Sequence, residues 1–188
     1  MDHEDVLEFW FGADDAIWWK KDPAFDATIR ARFGERIDAA CAGRLDHWMD
    51  DARSALALVI LLDQFTRNTR RGSGSTWAHD ARAQAVAERA LAASFDQQVS
   101  ERERAFFYMP LMHAEHLALQ ERCVTLFEAM AAEASDAPRG AAKSNLKYAV
   151  AHRDIVARFG RFPHRNALLR RGSTPEELAF LQQPGSAF

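Results

Sequence analysis

The stretch ARSALALVILLDQFTRN, residues 52–68, decides the fold class of this chain. Its middle part, ALALVILL at residues 55–62, is apolar at every position, so a helix that contains it has no polar face to turn toward water. Such a helix is stable only where other elements cover it on all sides. We therefore predict a central helix from Ala52 to about Asn68, with the polar residues from Asp63 onward near its C-terminal end.

Helical patterns also fill the sequence on both sides of this stretch. After a cap formed by Asp22 and Pro23, apolar residues recur every four positions along one stripe. They are Phe25, Ile29, Phe33, Ile37 and Cys41. Near the other end, Thr174 and Glu177 form a capping box before a last helix. No segment shows the alternation of a half-buried strand. The sequence predicts an all-α fold of about eight helices in a single helical domain over residues 1–188, with no clear internal repeat.

A proline interrupts the helical pattern that runs from about residue 101 to residue 134. Pro110 lacks an N–H and its ring crowds the preceding turn, so we predict a kink or a break at this position. The helix then resumes through His113, which shares a face with apolar neighbours. A loop over residues 135–140 precedes another helix at residues 141–159. Periodicity alone leaves open whether these helices form a bundle or stacked antiparallel pairs.

Composition and charge exclude several classes of protein. The chain has 188 residues and a net charge of -3, which gives no general attraction to nucleic acid or to an anionic membrane. The longest apolar run is too short to span a bilayer, and the N-terminus is acidic where a signal peptide needs basic residues. Cys41 and Cys123 lack the spacing of a metal or disulfide site, which is typical of a reducing compartment. We predict a cytoplasmic protein that binds neither nucleic acid nor membrane.

Polar residues on apolar helix faces are the candidate functional positions. Asp63 lies on the stripe of the central helix, and Arg67 at i+4 is its nearest candidate partner. His113 and His152 each share a helix face with apolar residues. One interpretation is that these groups are paired inside the core and only join helices. The other is that they converge on one pocket, where titratable groups tend to cluster.

Motifs for metal binding or covalent catalysis are missing from the sequence. His113 and His116 form a lone H-x-x-H pair without an HExxH motif or a cysteine cluster, so we predict neither a metal site nor a cofactor. No serine lies in a G-x-S-x-G elbow. General acid–base chemistry by His113, His152 or His164, with Asp63 or Glu115, stays open because only geometry decides it.

Arginines are concentrated in two parts of the chain. One group lies at residues 67–71, and a larger group spans residues 153–171 with Asp154 as the single acid among them. Bidentate guanidinium groups bind phosphate and carboxylate well, so these arginines suggest an anionic ligand. The alternative is a solvated basic face, helped by the preference of cations for helix C-termini.

Five segments, spread from residue 6 to residue 181, are unusual in combination. They are VLEFWFG, WWKKDPAFDATIRARFG, LALVILLDQFTRN, FFYMPLMHAEHLALQER and HRDIVARFGRFPHRNALLRRGSTPEELAFL. Together they resemble a bacterial family catalogued as domain of unknown function 924. The resemblance implies an all-helical fold similar to tetratricopeptide-repeat proteins, with antiparallel helix pairs stacked into a curved array. It implies no established activity, cofactor or partner.

The resemblance also marks individual positions. The motif residues in this chain are Asp63, Gln64, Arg67, Asn68, His113, Glu115, Gln120, His152, Arg153, Asp154, Arg158, His164 and Asn166. The chain departs from the family pattern at Thr66, where the family typically has proline, and at Ala114, where it often has serine. A role that needs the hydroxyl of that serine is therefore not expected here.

Three functional hypotheses follow from these observations. We favour a binding module with a polar, arginine- and histidine-lined pocket for a small anionic ligand or a peptide. The alternatives are a hydrolase or lyase that uses a buried histidine and carboxylate pair, and a structural role in protein interaction. A homodimer is compatible with the alanine-rich helix faces. The candidate ligand-binding residues are Asp63, Gln64, Arg67, Asn68, His113, Glu115, His152, Arg153, His164 and Asn166.

Overall fold

The computed structural model describes residues 2–134 and 139–187, and the regular structure in those residues is helical throughout. The helices are α1 (Glu4–Phe11), α2 (Pro23–Cys41), α3 (Ala52–Val59, Ile60–Phe65 and Thr66–Thr69 in succession), α4 (Asp80–Ala92), α5 (Glu101–Met112), α6 (Leu117–Glu133), α7 (Arg139–Phe159) and α8 (Pro175–Leu181). Short 3-10 turns lie at Asp15–Trp19, Asp46–Asp50, Gly74–Trp77, Phe95–Gln98 and Pro163–Arg165. The predicted all-α fold of about eight helices is confirmed for these residues.

Helix α3 is the central helix of its part of the molecule, as predicted. Asp51 caps it by accepting hydrogen bonds from the backbone N–H groups of Arg53 and Ser54 at 2.9 and 3.0 Å. Every residue from Ser54 to Thr66 is buried. The middle segment, Ile60–Phe65, is a π-helix, a wider turn that is rare and often occurs near functional positions. Neither the apolar run nor its period indicated this widening.

One compact unit, called unit 1, contains the residues up to Arg71 and Ser75–Pro110. Helices α1, α2 and α4 pack on α3 in this unit. Aromatic rings fill the space beside α3, where Trp10 lies 5.5 Å from Phe65 and 5.8 Å from Phe106 between ring centroids. Trp10 and Phe65 are completely buried, so these contacts form the apolar core of unit 1.

Residues Gly72–Gly74, with the described residues from Leu111 onward, form the second compact unit, called unit 2. Helices α6 and α7 pack closely on each other here, and Ile155, Val156 and Phe162 form a small buried core near the end of α7. The stacked, tetratricopeptide-like arrangement and the single domain over residues 1–188 stay predictions. Among the described helices, none combines the length and the apolarity that a membrane span requires.

The boundary between α5 and α6 differs from the prediction. Pro110 lies inside α5, and the helix ends two residues later, so residues 113–116 form a non-helical turn. The carbonyls of Met112 and Ala114 accept hydrogen bonds from the side chain of Gln120 at 2.6 and 2.7 Å. These side-chain bonds replace the backbone bonds that would continue the helix. His113 therefore projects from a turn rather than from a helix face.

The boundary between α6 and α7 is described only in part. Of the loop predicted over residues 135–140, residues 135–138 lie outside the described residues. Helix α7 already includes Arg139 and Gly140. The helix therefore begins two residues earlier than predicted and ends at Phe159 as predicted.

Candidate functional site

Three histidines that are distant in the sequence lie together with Phe162 in unit 2. His113 comes from the turn after α5, His152 from α7 and His164 from the short Pro163–Arg165 turn. The His152 ring centroid lies 6.2 Å from that of His113 and 5.5 Å from that of Phe162. The Phe162 centroid lies 5.6 Å from that of His164. We call these four residues the histidine cluster. His113 and His164 are half-buried, and the Nδ1 atom of His164 is itself buried.

His152 is the buried member of the cluster, with 6% of its surface exposed. Its Nδ1 lies 2.8 Å from the carbonyl oxygen of Tyr148, and since a carbonyl only accepts, Nδ1 carries the proton. Burial, with smaller contributions from the neighbouring His113, Arg165 and His164, lowers the pKa of His152 to about 3, against the opposing effect of the Tyr148 bond. The imidazole is therefore neutral at physiological pH, in one defined tautomer.

Arg165 places a positive charge beside the histidine cluster. It is 5% exposed, and its Nη2 donates to the carbonyl oxygen of His113 at 3.0 Å. Its guanidinium carbon lies 4.4 Å from the centroid of the Phe162 ring, within the range of a cation–π contact. The arginine therefore joins the turn after α5 to the Pro163–Arg165 turn and raises the local electrostatic potential.

A second group of side chains, next to the cluster, holds the C-terminal part of unit 2. We call it the C-terminal clamp: Glu115, Arg161, Asn166, Arg171 and Glu177. Glu115 accepts hydrogen bonds from both terminal nitrogens of Arg171 and from the backbone N–H of Phe162. Arg171 Nε donates to Asn166 at 3.0 Å, and Asn166 donates to Glu177 at 3.3 Å. Arg161 donates to both oxygens of Glu177, at 2.7 and 2.9 Å.

The two carboxylates of this clamp are held in their charged form. Burial raises the pKa of Glu115, but the bonds from Arg171 and from Phe162 N–H outweigh it, and the pKa is lowered overall. The hydrogen bonds from Arg161 lower the pKa of Glu177 to about 2, with smaller contributions from Thr174 N–H and Asn166. Both clamp carboxylates are therefore structural anions whose partners are other parts of unit 2.

In unit 1 the candidate residues at the end of α3 form a separate buried network. Arg67 donates to Asp63 at 3.1 Å and to Asp80 at 2.9 Å. Gln64 donates to the other oxygen of Asp63 at 2.6 Å. Burial lowers the pKa of Arg67, but the charges and hydrogen bonds of the two aspartates outweigh it, so the pKa is raised. The predicted Asp63 and Arg67 pair is present, with Asp80 as a partner that the local pattern did not indicate.

Two other candidates make different contacts. Asn68, which is buried in unit 1, donates to Asp26 at 2.7 Å, and Arg71 donates to the other oxygen of Asp26 at 2.8 Å. Arg153 lies on α7 with its side chain 33% exposed and pairs with its neighbour Asp154 at 2.6 Å. Arg153 is therefore a surface residue rather than a member of the histidine cluster.

Comparison with known proteins identifies the family. The family model described as bacterial protein of unknown function (DUF924) matches residues 6–185. The chain belongs to this family. A solved structure of a protein of unknown function from Agrobacterium tumefaciens is similar to it, with 42% sequence identity over 96% of each chain and a TM-score of 0.87. No curated protein matches this chain.

In this DUF924 member the ten predicted site residues divide between the two units. His113, His152 and His164 meet in the histidine cluster, while Glu115 and Asn166 belong to the adjoining clamp. Asp63, Gln64, Arg67 and Asn68 belong to unit 1, and Arg153 lies on the surface of unit 2. Their role as ligand contacts stays a prediction.

Sequence reasoning assigned no role to several of the partners. Arg165 and Arg171 appeared only as members of a basic segment, and Glu177 only as the acid of a capping box. That capping box is confirmed, because Thr174 and Glu177 exchange both of the expected bonds. Asp80 carries no local signal, since its partner Arg67 lies 13 positions away in the sequence.

Metal-binding groups and surface depressions are the other places to consider for a ligand among the described residues of the DUF924 chain. No three His, Cys, Asp or Glu side chains in that part of the chain are arranged to hold a metal ion. Two shallow depressions lie on the surface of unit 1, and neither is lined by a candidate residue. Their lining residues are Arg30, Gly34, Ile37, Asp38, Thr69 and Arg70 for one, and Met49, Arg89, Ala92, Ala93 and Phe95 for the other.

Proposed function

We propose that this chain is a binding module for a small anionic ligand, a carboxylate or a phosphate, that contacts the histidine cluster. The observation that supports this most is the convergence of His113, His152 and His164, together with Phe162, from separate elements. Titratable side chains that meet in this way are more common at binding and catalytic sites than elsewhere. The half-buried residues His113 and His164 would contact the ligand, and the buried His152 would support them.

The electrostatics of the cluster favour an anion over a cation. Arg165 lies beside the rings, and the neighbours of His152 act on it in the direction expected of positive charge. A bound carboxylate or phosphate would offset this positive potential and would favour the protonated form of the imidazoles. Binding of the anion is then accompanied by proton uptake, so the affinity rises as the pH falls.

The alternative of a hydrolase or lyase has weaker support. A buried histidine and carboxylate pair would need Glu115 to face an imidazole, yet its carboxylate is bonded to Arg171 and to the Phe162 N–H. A histidine with a pKa of about 3 is a weak general base at neutral pH. His113 or His164 could still serve in acid–base chemistry, and a pH–rate profile would test that. Cytoplasmic localisation and homodimer formation stay predictions.

The ligand site can be tested with inorganic phosphate and succinate as probes. We expect each anion that binds to shift the imidazole NMR resonances of His113 and His164, with larger shifts at pH 6 than at pH 8. His113→Gln and His164→Gln should each weaken binding about tenfold or more, because each removes one charge-assisted hydrogen bond. Isothermal titration calorimetry measures the dissociation constants.

Lys143→Gln is the matched control, because it removes one positive charge from an exposed position of α7 outside the cluster. It should change the affinity by less than about twofold, since a solvated charge contributes little at physiological salt. Binding of either probe that shifts only histidines of unit 1, such as His47 or His79, would place the ligand elsewhere. No shift with either anion at millimolar concentration would refute a general anion site in the cluster.

A further inference from the structure

We propose that Gln120 is a positioning residue of the histidine cluster, whose side-chain amide fixes the turn that carries His113. The inference rests on the proposed function, since it assigns a residue that prepares the ligand site rather than one that contacts the ligand. Gln120 lies on the first turns of α6 and is completely buried. A residue at this position can reach back to the end of α5 and control where the chain turns.

The geometry of the amide is the main argument. Gln120 Nε2 donates to the carbonyl oxygens of Met112 at 2.6 Å and of Ala114 at 2.7 Å, one on each side of His113. The carbonyl between them, that of His113 itself, accepts from Arg165 Nη2 at 3.0 Å. Three consecutive carbonyls are thus held by two buried side chains. A turn fixed at every carbonyl has little freedom to reorient the side chain that it carries.

The hydrogen bonds at position 120 explain why the residue is a glutamine. Both N–H donors are used, while Oε1 is buried and has no hydrogen-bond partner among the described residues. A leucine or methionine of similar size would avoid an unsatisfied buried oxygen, so apolar packing alone does not explain the amide. The two donors are the feature that an apolar residue lacks. Their effect is to keep His113 out of a helix and directed toward His152.

The next residues of the turn are fixed in the same way. The Glu115 carboxylate is bonded to Arg171 and to the backbone N–H of Phe162, a member of the histidine cluster. The turn is therefore attached to the other elements of the cluster at residues 112–115. Binding sites that are formed before the ligand arrives require such support behind the groups that touch the ligand.

The test compares Gln120→Met with Val124→Ala. Gln120→Met removes both donors at similar volume, and we expect it to shift the imidazole resonances of His113, to weaken their NOEs to His152 and to weaken phosphate binding about tenfold. Val124 is buried one turn further along α6, so Val124→Ala destabilises the same helix while both amide donors of Gln120 are kept. It should leave the His113 resonances and the affinity unchanged.

Two further measurements test the role of Gln120. If Gln120→Met does not fold, Gln120→Asn retains one amide that is too short to span both carbonyls, and it should show the same effects in weaker form. In the unmodified protein, the Nε2 protons of Gln120 should exchange slowly with solvent, and fast exchange would overturn the geometry. If phosphate does not bind the parent protein, the proposed function fails, while the His113 resonances still decide the positioning role. Equal shifts in Gln120→Met and Val124→Ala would reduce Gln120 to a packing residue.

Discussion

Replacing Arg67 by methionine is expected to lower the free energy of unfolding by about 3–5 kcal/mol, the usual cost of removing one partner of a buried ion pair. Arg67 donates to Asp63 and Asp80, whose side chains are 1% and 12% exposed. Methionine keeps much of the volume but removes the cation that both carboxylates share. Urea denaturation followed by tryptophan fluorescence measures the change, because all five tryptophans lie in unit 1 with Arg67.

The pH dependence of this variant identifies the cause. Without the guanidinium, the carboxylates of Asp63 and Asp80 repel each other in a poorly hydrated place, and a proton relieves that repulsion. The difference in stability between the parent protein and Arg67→Met should therefore shrink when the pH is lowered from 7 to 5. A difference that stays constant with pH would point to lost packing instead of lost charge.

Arg53→Met is the matched control on the same helix. Arg53 is bonded to Glu4 and Glu103 near the start of α3, but its side chain is 48% exposed. Solvent screens such a pair, so the same substitution should cost about 1 kcal/mol or less. If Arg53→Met and Arg67→Met destabilise the protein equally, burial does not determine the strength of the Arg67 network.

The sequence predicted the fold more completely than the site because apolar patterns are local. An apolar run such as residues 55–62 contains its own burial requirement, and the Asp63 and Arg67 pair follows from helical spacing alone. Asp80 could not be assigned in this way, since its contact with Arg67 depends on how α3 and α4 pack. The π-helical segment Ile60–Phe65 was missed for a similar reason, because a single wide turn changes no residue type.

The turn after α5 shows a different limit of sequence reasoning. The pattern around His113 is helical, and Pro110 was the only visible signal for a break. The break occurs after Met112, where Gln120 and Arg165 take the carbonyls that a continuing helix would use. A tertiary hydrogen bond thus outweighed the local preference for helix. Because the direction of the His113 side chain depends on this break, the histidine cluster could not be assembled from helix faces.

The arginine-rich segment suggests either an external anion or a solvated basic face, and its observed contacts are mostly internal. Arg158 pairs with Glu176, Arg161 with Glu177 and Arg171 with Glu115. Glu115 precedes the basic segment, and Glu176 and Glu177 follow it. The excess of positive charge within the segment is therefore largely neutralised by acids from other parts of unit 2. Arg165 donates to the carbonyl oxygen of His113 and lies over the ring of Phe162, so its charge lies beside the histidines.

Glu177→Gln is expected to have the second large effect, about 1.5–3 kcal/mol, which is typical for hydrogen bonds to a buried charged group. Glu177 is 2% exposed and accepts bonds from Arg161, Thr174 N–H and Asn166. Glutamine has nearly the same shape and can still accept one bond, so the loss reports mainly on the charge. Helix α8 has seven residues and is too short to be stable alone, so it depends on its contacts with other elements, and the bonds of Glu177 are among them.

Acid titration should separate this charge effect from packing. The pKa of Glu177 falls from 4.5 in the unfolded chain to about 2 in the fold, so its contribution is complete above pH 4.5 and is lost as the pH falls toward 2. Protonation of the buried His152 also destabilises the fold in acid. This effect is the same in the parent protein and in Glu177→Gln, so it cancels in the difference between their free energies of unfolding. Urea denaturation followed by circular dichroism at pH 7 and pH 3 measures that difference, which should be clearly smaller at pH 3.

Glu176→Gln on the same helix is the control. Glu176 pairs with Arg158, but its side chain is 64% exposed, so we expect the free energy of unfolding to change by no more than about 0.5 kcal/mol at both pH values. Equal effects of the two substitutions would mean that the buried position of Glu177 adds nothing to its ion pair.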